Sequence, residues 1–381
     1  MNILAKSRGL LAVAALLIVA VLAWATPGIV RHYYHHGLRL VEVATGLEAP
    51  WAIAFLPDRS MLVTERPGRM RIVDPSGKVG PPLSGLPAVA AFGEGGLLDV
   101  VLSPDFATTR LIYWSFSEPA ADDPLAASTA VARGRLEGQA VIGAEVIFRQ
   151  MPKGKDGRHF GSRLLFTPEG HLIVGLGDRS VRDDAQNLAS ARGKILRLDA
   201  AGKAPTDNPF VGRSGALPEI WSYGHRNVQG LAYQPQIGSL WASEHGPNGG
   251  DEINLIRPGA NYGWPVITYG CEYTTCAKIG EGTVKAGMVQ PLTWFGPGSM
   301  PPTALAFITG DRYPEWKGQL LVGALWGQAL MRLQVDGDRV VGREPMWLGS
   351  YNRVRDVKQG PDGWIYVAVQ NPQGSIVRLE R

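Results

Sequence analysis

Ionisable side chains recur at matching distances before a turn residue in four separate parts of this sequence. They are Glu94, His159, Arg226, Arg353 and Arg355, which stand ten, nine, nine, eight and six residues before Pro104, Pro168, Pro235 and Pro361. A histidine can act as a base near neutral pH, and an arginine pairs with planar carboxylates through two parallel hydrogen bonds. If the turns are structurally equivalent, these side chains form one cluster suited to proton transfer and anion binding. The alternative is that polar residues simply decorate the entries to turns.

These turns belong to a repeat. Each copy has a short apolar strand, a turn and a second apolar strand, as in "SRLLFTPEGHLIVGLGD", and ends in a strand with basic, apolar and acidic residues, as in "KILRLDAAG". The turn falls at six positions, separated by 47 to 75 residues: Pro57, Pro104, Pro168, Pro235, Gly310 and Pro361. Alternating apolar and β-branched residues indicate strands, and the spacing is typical of a four-stranded blade with insertions. The sequence therefore predicts an all-β, six-bladed β-propeller of four-stranded antiparallel blades over residues 39–381.

Composition agrees with short strands and tight turns. The chain has 48 Gly and 28 Pro, and only 19% of its residues are charged. The segment "LRLVEVATGL" (38–47) precedes the first copy, and we expect it to add an outer strand to the last blade and so close the ring. A β-sandwich or two smaller β domains is the alternative, but no linker-like composition divides residues 39–381. In a propeller the first strands line a central channel, so residues that precede them converge at one mouth.

Residues 1–26 are typical of an export segment. Lys6 and Arg8 precede an uncharged apolar stretch that contains a small-x-small "AWA" sequence, as in a cleaved signal peptide. The apolar run over residues 9–30 is also long enough for an uncleaved membrane anchor. Either alternative delivers the rest of the chain, after a linker at 27–38, across a membrane. We therefore expect a periplasmic or exported protein, attached to the membrane at most through this segment.

Cysteine content and net charge indicate the redox compartment and exclude one class of partner. Cys271 and Cys276, in "CEYTTC", are the two cysteines, and an oxidising compartment favours a small local disulfide over two unrelated thiols. The net charge of +4 is small for 381 residues, and the basic residues are scattered. Nucleic acid is therefore not expected as a partner.

A second polar cluster is "SEHGPNGGDEIN", residues 243–254. Its Gly and Pro residues expose backbone carbonyls, and the carboxylates of Glu244, Asp251 and Glu252 flank them. Oxygen ligands of this kind suit Ca²⁺, although an ordinary acidic turn is the alternative. His225 and His245 lack the spacing of metal ligands and are interpreted as loop or packing residues. For Trp264, in "GANYGWP", we expect packing between blades.

With these residues the sequence resembles a known family, the soluble pyrroloquinoline-quinone (PQQ)-dependent aldose and glucose dehydrogenases, or glucose/sorbosone dehydrogenases. The resemblance covers roughly residues 40–381 and is carried, in order, by "PWAIAFLPD", "GEGGLLDVVLSPDF", "HFGSRLLF", "YGHRNVQGL", "SEHGPNGGDEIN", "NYGWP" and "RVRDV". The family fold is also a six-bladed propeller. The resemblance implies oxidation of an aldose at the anomeric carbon to the lactone, with PQQ and Ca²⁺ as cofactors. Hydride passes to PQQ, and the electrons then pass to an external quinone or redox protein.

The resemblance also implies roles for individual residues. His159 matches the base that takes the proton from the sugar's anomeric hydroxyl, and Asp178 matches the acid that orients it. Arg226 matches the arginine beside the reactive quinone oxygens, and Asn227 a neighbouring cofactor contact. The remaining implied contacts are the backbone carbonyls of Gly246 and Pro247 to Ca²⁺, and the side chains of Arg353 and Arg355 to the cofactor carboxylates.

Two further expected cofactor contacts depart from the family pattern. Glu94 stands where the family often has Gln, which places a negative charge near a tricarboxylate cofactor. Trp326 stands where relatives have a lysine, so a cation is missing, although an indole could stack. These departures favour the alternative of a non-catalytic binding propeller that has lost its cofactor. A metal-dependent lactonase-type hydrolase is the third hypothesis, and it should place carboxylates and Asn around a channel metal instead of a ring of arginines.

Overall fold

The computed structural model describes residues 37–326, 330–346, 353–370 and 373–381. The expected export segment, residues 1–26, and most of the linker lie outside the described residues. The described strands form six four-stranded antiparallel sheets, which confirms the prediction of a six-bladed propeller. Helical structure in the same part of the chain is limited to three short segments: Phe106–Thr109, Arg182–Ala185 and Pro314–Trp316. None of the described helices is long and apolar enough to cross a membrane.

The blades follow one another in chain order, and each is numbered from its channel strand outwards. Blade 1 contains β2 (Pro50–Phe55), β3 (Met61–Glu65), β4 (Arg69–Val73) and β5 (Val79–Pro82). Blade 2 contains β6 (Leu97–Leu102), β7 (Leu111–Pro119), β8 (Ala127–Glu137) and β9 (Ala140–Arg149). Blade 3 contains β10 (Gly161–Phe166), β11 (Leu172–Leu176), β12 (Lys194–Leu198) and β13 (Ile220–Tyr223).

The second half of the ring has the same plan. Blade 4 contains β14 (Val228–Gln234), β15 (Ser239–Glu244), β16 (Glu252–Ile256) and a two-residue β17 (Thr293–Trp294). Blade 5 contains β18 (Pro302–Phe307), β19 (Leu320–Ala324), β20 (Leu330–Asp336) and β21 (Arg339–Met346). Blade 6 contains β22 (Val354–Gln359), β23 (Ile365–Val369), β24 (Gly374–Glu380) and, as its outer strand, β1 (Arg39–Leu47).

The first of the described strands closes the ring, as predicted. β1 pairs antiparallel with β24, with Arg39 opposite Glu380 and Leu47 opposite Gly374. Arg39 also forms an ion pair with Glu380. The two ends of the propeller are therefore hydrogen-bonded to each other. The last blade takes three strands from the end of the chain and its outer strand from the start of the propeller.

Apolar side chains fill the spaces between neighbouring blades. Trp241 of blade 4 packs edge-on against Phe307 of blade 5, with ring centres 5.5 Å apart. Phe55 of blade 1 packs in the same way against Tyr366 of blade 6, at 5.0 Å. Strands such as β3, β11 and β23 are buried along their whole length, which explains their continuous apolar sequences. This inter-blade packing fixes the angle between blades and hence the shape of the channel.

A buried arginine ties the channel strands together. Arg163 on β10 donates from Nη1 to Asp99 on β6 at 3.2 Å and to Asp356 on β22 at 3.0 Å. Burial raises the pKa of Asp99, although the nearby charge of Arg163 acts in the opposite direction. Removing one partner of such a group leaves a buried charge unpaired, at a cost of about 3–5 kcal/mol. The strands of three blades are therefore held in register below the channel mouth.

Candidate active site at the channel mouth

A cavity of about 710 Å³ lies at the mouth of the channel. Four of the residues expected to contact the cofactor line it, namely Glu94, Trp326, Arg353 and Arg355. Phe160 and Gly161, which directly follow His159, also line it. Its volume falls in the range of small-molecule sites, about 300–1,000 Å³. The repeat therefore brings residues from different blades to one cavity.

The backbone of His159 is held in an uncommon conformation just before β10. Its φ is 55°, in the left-handed region that few non-glycine residues adopt. The main-chain N–H of His159 donates to Glu94 Oε2 at 2.7 Å. On its other side, a Cβ atom at Gly177 would lie 1.9 Å from the carbonyl oxygen of His159, so this close approach requires glycine. Contacts from two neighbouring segments thus determine where the imidazole points.

His159 and Asp178 form a hydrogen-bonded pair. His159 Nδ1 lies 2.6 Å from Asp178 Oδ1, which also accepts the Ser180 N–H at 2.8 Å. Asp178 Oδ2 accepts the indole N–H of Trp264 at 2.8 Å. Burial by itself raises the pKa of Asp178, but the hydrogen bond to His159 and the charges of His159 and Arg226 hold that pKa below its usual value. An ionised Asp178 keeps the proton of neutral His159 on Nδ1 and leaves Nε2 free to accept another.

Arg226 is positioned just before β14 by its own backbone and by two aromatic rings. Its main-chain N–H donates to the buried Glu244 at 2.9 Å, and its Nη1 donates to the carbonyl of His245 at 3.1 Å. The guanidinium carbon lies 5.4 Å from the ring centre of Trp264 and 5.9 Å from that of Tyr273. Arg226 does not line the large cavity but a second, smaller one next to His245.

Gly246 and Pro247 line this second cavity, of about 20 Å³, together with Arg226. The carbonyl of Gly246 accepts the Tyr273 hydroxyl at 3.2 Å, and the carbonyl of Pro247 accepts the Gly250 N–H at 2.9 Å. Each carbonyl oxygen has a second lone pair for a further partner. Within the described residues, no group of three or more His, Cys, Asp or Glu side chains is arranged to hold a metal. A Ca²⁺ site at these two carbonyls therefore stays a prediction.

The side chain of Asn227 forms hydrogen bonds within the protein. Its Oδ1 accepts the Gly161 N–H at 3.0 Å and the Gln229 side-chain amide at 3.2 Å. It lines neither of the two cavities. Through these bonds Asn227 joins blade 3 to blade 4 beside the site, and the cofactor contact that the resemblance implied for it stays a prediction.

The other residues singled out have mainly structural contacts. His225 is buried, stacks on Tyr262 with ring centres 4.6 Å apart, and contacts Glu244 at 3.2 Å, as expected for a packing histidine. Glu244 also accepts the Asn254 amide at 2.7 Å. Cys271 and Cys276 form the disulfide that the sequence predicted.

Three residues at the site were missed by the sequence reasoning. His245 was interpreted as a loop or packing residue, but it lines the large cavity, as does Arg66. Burial and the charges of Arg355 and Arg226 hold the pKa of His245 well below its usual value, so this imidazole is neutral. The expectation of inter-blade packing for Trp264 was incomplete, because this buried side chain also donates to Asp178.

A count of the residues that follow the second strand of each blade would have identified two of these three residues. The second strand of each blade runs back towards the channel mouth, so the residues just after it also converge there. In five of the six blades the first or second residue after this strand is polar or aromatic, namely Arg66 after β3, Asp178 after β11, His245 after β15, Trp326 after β19 and Gln370 after β23, whereas Ala120 follows β7 in blade 2. Counting only before the first strands left Arg66 and His245 unassigned.

Positive charge in the large cavity is only partly balanced. Arg66, Arg353 and Arg355 line it, and burial together with the charges of Arg353 and Arg163 lowers the pKa of Arg355 to about 9. The buried Nε atoms of Arg226 and Arg355 have no hydrogen-bond partner among the described residues. Unpaired buried donors on cationic groups favour an anionic ligand. A compact polycarboxylate therefore fits these residues.

The fold and the site define the chain as a six-bladed propeller with a histidine–carboxylate pair and an arginine-lined cavity at the channel mouth. The family model for glucose/sorbosone dehydrogenases matches residues 47–378, and the chain belongs to this family. The chain is 43% identical over 362 residues to the aldose sugar dehydrogenase of Escherichia coli (strain K12), an alignment that covers 93% of this chain and 94% of the relative.

Solved structures agree with this assignment. The soluble aldose sugar dehydrogenase of Escherichia coli in its apo-form superposes with a TM-score of 0.86 at 42% identity, over 90% of this chain and 99% of that one. The PQQ-bound form of the aldose sugar dehydrogenase from Streptomyces coelicolor superposes with a TM-score of 0.75 at 29% identity, over 90% and 98% of the two chains.

Proposed function

We propose that this protein is a PQQ-dependent sugar dehydrogenase that oxidises an aldose at its anomeric carbon to the lactone and passes the electrons to an external acceptor. The observation that carries the proposal is the hydrogen-bonded pair of His159 and Asp178 beside an arginine-lined cavity. The names of its relatives support the substrate class, and the PQQ-bound relative supports the cofactor.

The cofactor contacts follow from the charges of the site. Arg353 and Arg355 would hold the carboxylates of PQQ, and Arg226 would lie beside its quinone oxygens. The backbone carbonyls of Gly246 and Pro247 would hold Ca²⁺. When bound, PQQ supplies the hydride acceptor, and Ca²⁺ supplies a Lewis acid that polarises the quinone. A lactonase-type hydrolase should instead place carboxylates and Asn around a metal in the channel. Among the described residues no observation supports that arrangement.

The proton step belongs to His159. Its Nε2 would take the proton from the anomeric hydroxyl, and PQQ, when bound, would supply the acceptor for the hydride of the anomeric C–H bond. Asp178 stabilises the imidazolium that forms, because its ionised carboxylate contacts Nδ1 at 2.6 Å. Carbon–oxygen double-bond formation at the same carbon completes the lactone, and His159 releases its proton before the next turnover.

The departures from the family pattern at Glu94 and Trp326 are compatible with cofactor binding. The Glu94 carboxylate accepts the His159 N–H, so its charge is partly used in holding the base. Trp326 lies at the cavity with 61% of its surface exposed. We therefore favour an active dehydrogenase over a binding propeller without cofactor.

Reconstitution tests the proposal. Apo-protein would be mixed with PQQ and Ca²⁺, and reduction of a dye acceptor would be followed across a panel of aldoses. We expect sugar-dependent dye reduction, and the absence of both bound quinone and dye reduction would refute the proposal. His159→Ala should bind PQQ but lose turnover by about 10³-fold or more. His171→Ala is the matched control, because His171 follows the turn at the opposite end of the same blade.

We also propose that the propeller works outside the cytoplasm. The disulfide between Cys271 and Cys276 supports an oxidising compartment. Fusion of residues 1–38 to a reporter that folds only after export tests this, and a fusion that is produced at full length but shows no reporter activity would contradict it.

A further inference from the structure

Both carboxylate oxygens of Asp178 have a donor, and one of these donors is a tryptophan. Oδ1 contacts His159 Nδ1 at 2.6 Å and the Ser180 N–H at 2.8 Å, and Oδ2 accepts the Trp264 indole N–H at 2.8 Å. We propose that Trp264 is a positioning residue, whose indole N–H fixes the Asp178 carboxylate in the orientation that aligns His159. This inference deepens the proposed function and rests on it.

The indole is placed by the protein and needs no ligand to hold it. The main-chain N–H of Trp264 donates to the carbonyl of Gly224 at 2.9 Å. Its carbonyl accepts the side-chain amide of Gln186 at 2.7 Å. The side chain packs with Ala185 and Ile279, and Trp264 is only 5% exposed. Segments of blades 3 and 4 therefore hold the indole N–H at a constant position relative to Asp178.

A carboxylate can rotate about its Cβ–Cγ bond, and donors on both oxygens oppose this rotation. Asp178 is fully buried, so loss of the indole N–H leaves Oδ2 without a partner in a place that excludes water. The negative charge is then shared with fewer donors, and the carboxylate attracts the proton on His159 more strongly. Removing the N–H should raise the pH at which His159 becomes protonated. It should also slow the proton step, because the carboxylate no longer holds the imidazole in its aligned orientation.

The substitution Trp264→Phe removes the indole N–H but keeps an aromatic ring at this position. The guanidinium carbons of Arg226 and Arg182 lie 5.4 Å and 5.5 Å from the Trp264 ring centre, and a phenyl ring preserves an aromatic face for both. The charged and titratable groups that act on the pair of His159 and Asp178 are left in place: Glu94, Arg158, Arg179, Arg182, Arg226 and His245. A change in the titration of His159 is therefore attributable to the lost N–H.

The test is an NMR titration of the imidazole of His159 in the full-length apo-protein, assigned by comparison with His159→Ala. We expect Trp264→Phe to raise the titration midpoint by about half a pH unit or more. A midpoint within roughly 0.2 pH unit of the wild-type value would overturn the proposal. Because this titration needs neither cofactor nor sugar, it is decided separately from the proposed function.

Trp241→Phe is the matched control. Trp241 is also fully buried, and its indole N–H donates to Ser239 at 3.0 Å, in the core of blade 4. It should lower Tm without moving the His159 midpoint, and an equal shift in the control would make the effect a general packing response. In an Asp178→Asn background, Trp264→Phe should leave His159 unchanged, because the indole acts only through the carboxylate. A persistent shift there would also overturn the proposal.

Two further measurements test the same proposal, and the second does not require the variant to fold. In reconstituted enzyme that turns over, Trp264→Phe should lower kcat about tenfold and leave KM within about twofold, because substrate contacts are unchanged. If the variant does not fold, the indole N–H resonance of Trp264 in the wild-type apo-protein serves instead. That resonance should shift with pH at the His159 midpoint, and a pH-independent resonance would contradict the coupling.

Discussion

The carboxylate of Glu94 accepts the main-chain N–H of His159 at 2.7 Å, across 65 positions of sequence. The bond joins the loop before β6 to the loop before β10, and it holds His159 in its left-handed conformation. Glutamine, which the family resemblance led us to expect at this position, can accept the same N–H through its amide oxygen but carries no charge.

Glu94→Gln should therefore tighten PQQ binding. The amide keeps the contact to His159 and removes a negative charge from a cavity that has to accept a tricarboxylate, so we expect Kd to fall about fivefold. Titration of apo-protein with PQQ, followed by tryptophan fluorescence, measures this. Glu94→Ala is the control, because it removes both the charge and the acceptor and should lower kcat. Weaker binding by Glu94→Gln would show that the carboxylate helps to hold the ligand.

Trp326→Lys should also tighten PQQ binding, by about fivefold at low salt, because it adds a cation at the wall of the cavity. The gain should shrink as salt is added, since the position is 61% exposed and its charge is screened. Val284→Lys adds the same charge at a residue that is 69% exposed and lines neither cavity. An equal gain in both variants would assign the effect to net charge alone.

Asp178→Asn should destabilise the protein at neutral pH by about 2 kcal/mol, because a buried charge-assisted bond to His159 is lost. The folded-state pKa of Asp178 lies below its usual value, so its ionisation contributes stability above about pH 4. This contribution is lost as the pH falls through the lowered pKa. The difference in free energy of unfolding between wild type and variant should thus be largest above about pH 5 and decrease in stronger acid.

Urea unfolding at a series of pH values from neutral to acid measures this difference. Asp122→Asn, at an exposed loop position, is the control and should show no such trend. A difference that is constant with pH would mean that the pKa of Asp178 is the same in the folded and the unfolded protein, and it would contradict the lowered pKa.

The disulfide loop should contribute to stability and to the geometry of the smaller cavity. Replacing Cys271 and Cys276 by Ser should lower the free energy of unfolding by about 2 kcal/mol, since the closed loop is short. The loop carries Tyr273, whose hydroxyl donates to Gly246, and Glu272, which pairs with Arg182. A reductant should destabilise the wild type and leave the double variant unaffected. Equal stability with and without reductant in the wild type would contradict this prediction.

The strand and turn pattern of the sequence is enough to predict the propeller. Each blade pairs strands that are neighbours in the chain, so the alternation of apolar residues and the spacing of turns contain most of the architecture. Even the long-range pairing of β1 with β24 was predictable, because a strand left over before the first copy has one free edge to cover. The same register placed Glu94, Arg353 and Arg355 at one mouth.

Contacts between side chains from different blades depend on how the blades pack against each other, which the sequence pattern does not show. The bond from Trp264 to Asp178 spans 86 positions, and it depends on the angle between blades 3 and 4, which inter-blade packing sets and no repeat spacing measures. The same holds for Asn227, whose amide faces Gly161 inside the protein. A repeat specifies which residues reach the channel mouth, but a hydrogen bond requires positions accurate to a few tenths of an ångström, and only the packed ring supplies these.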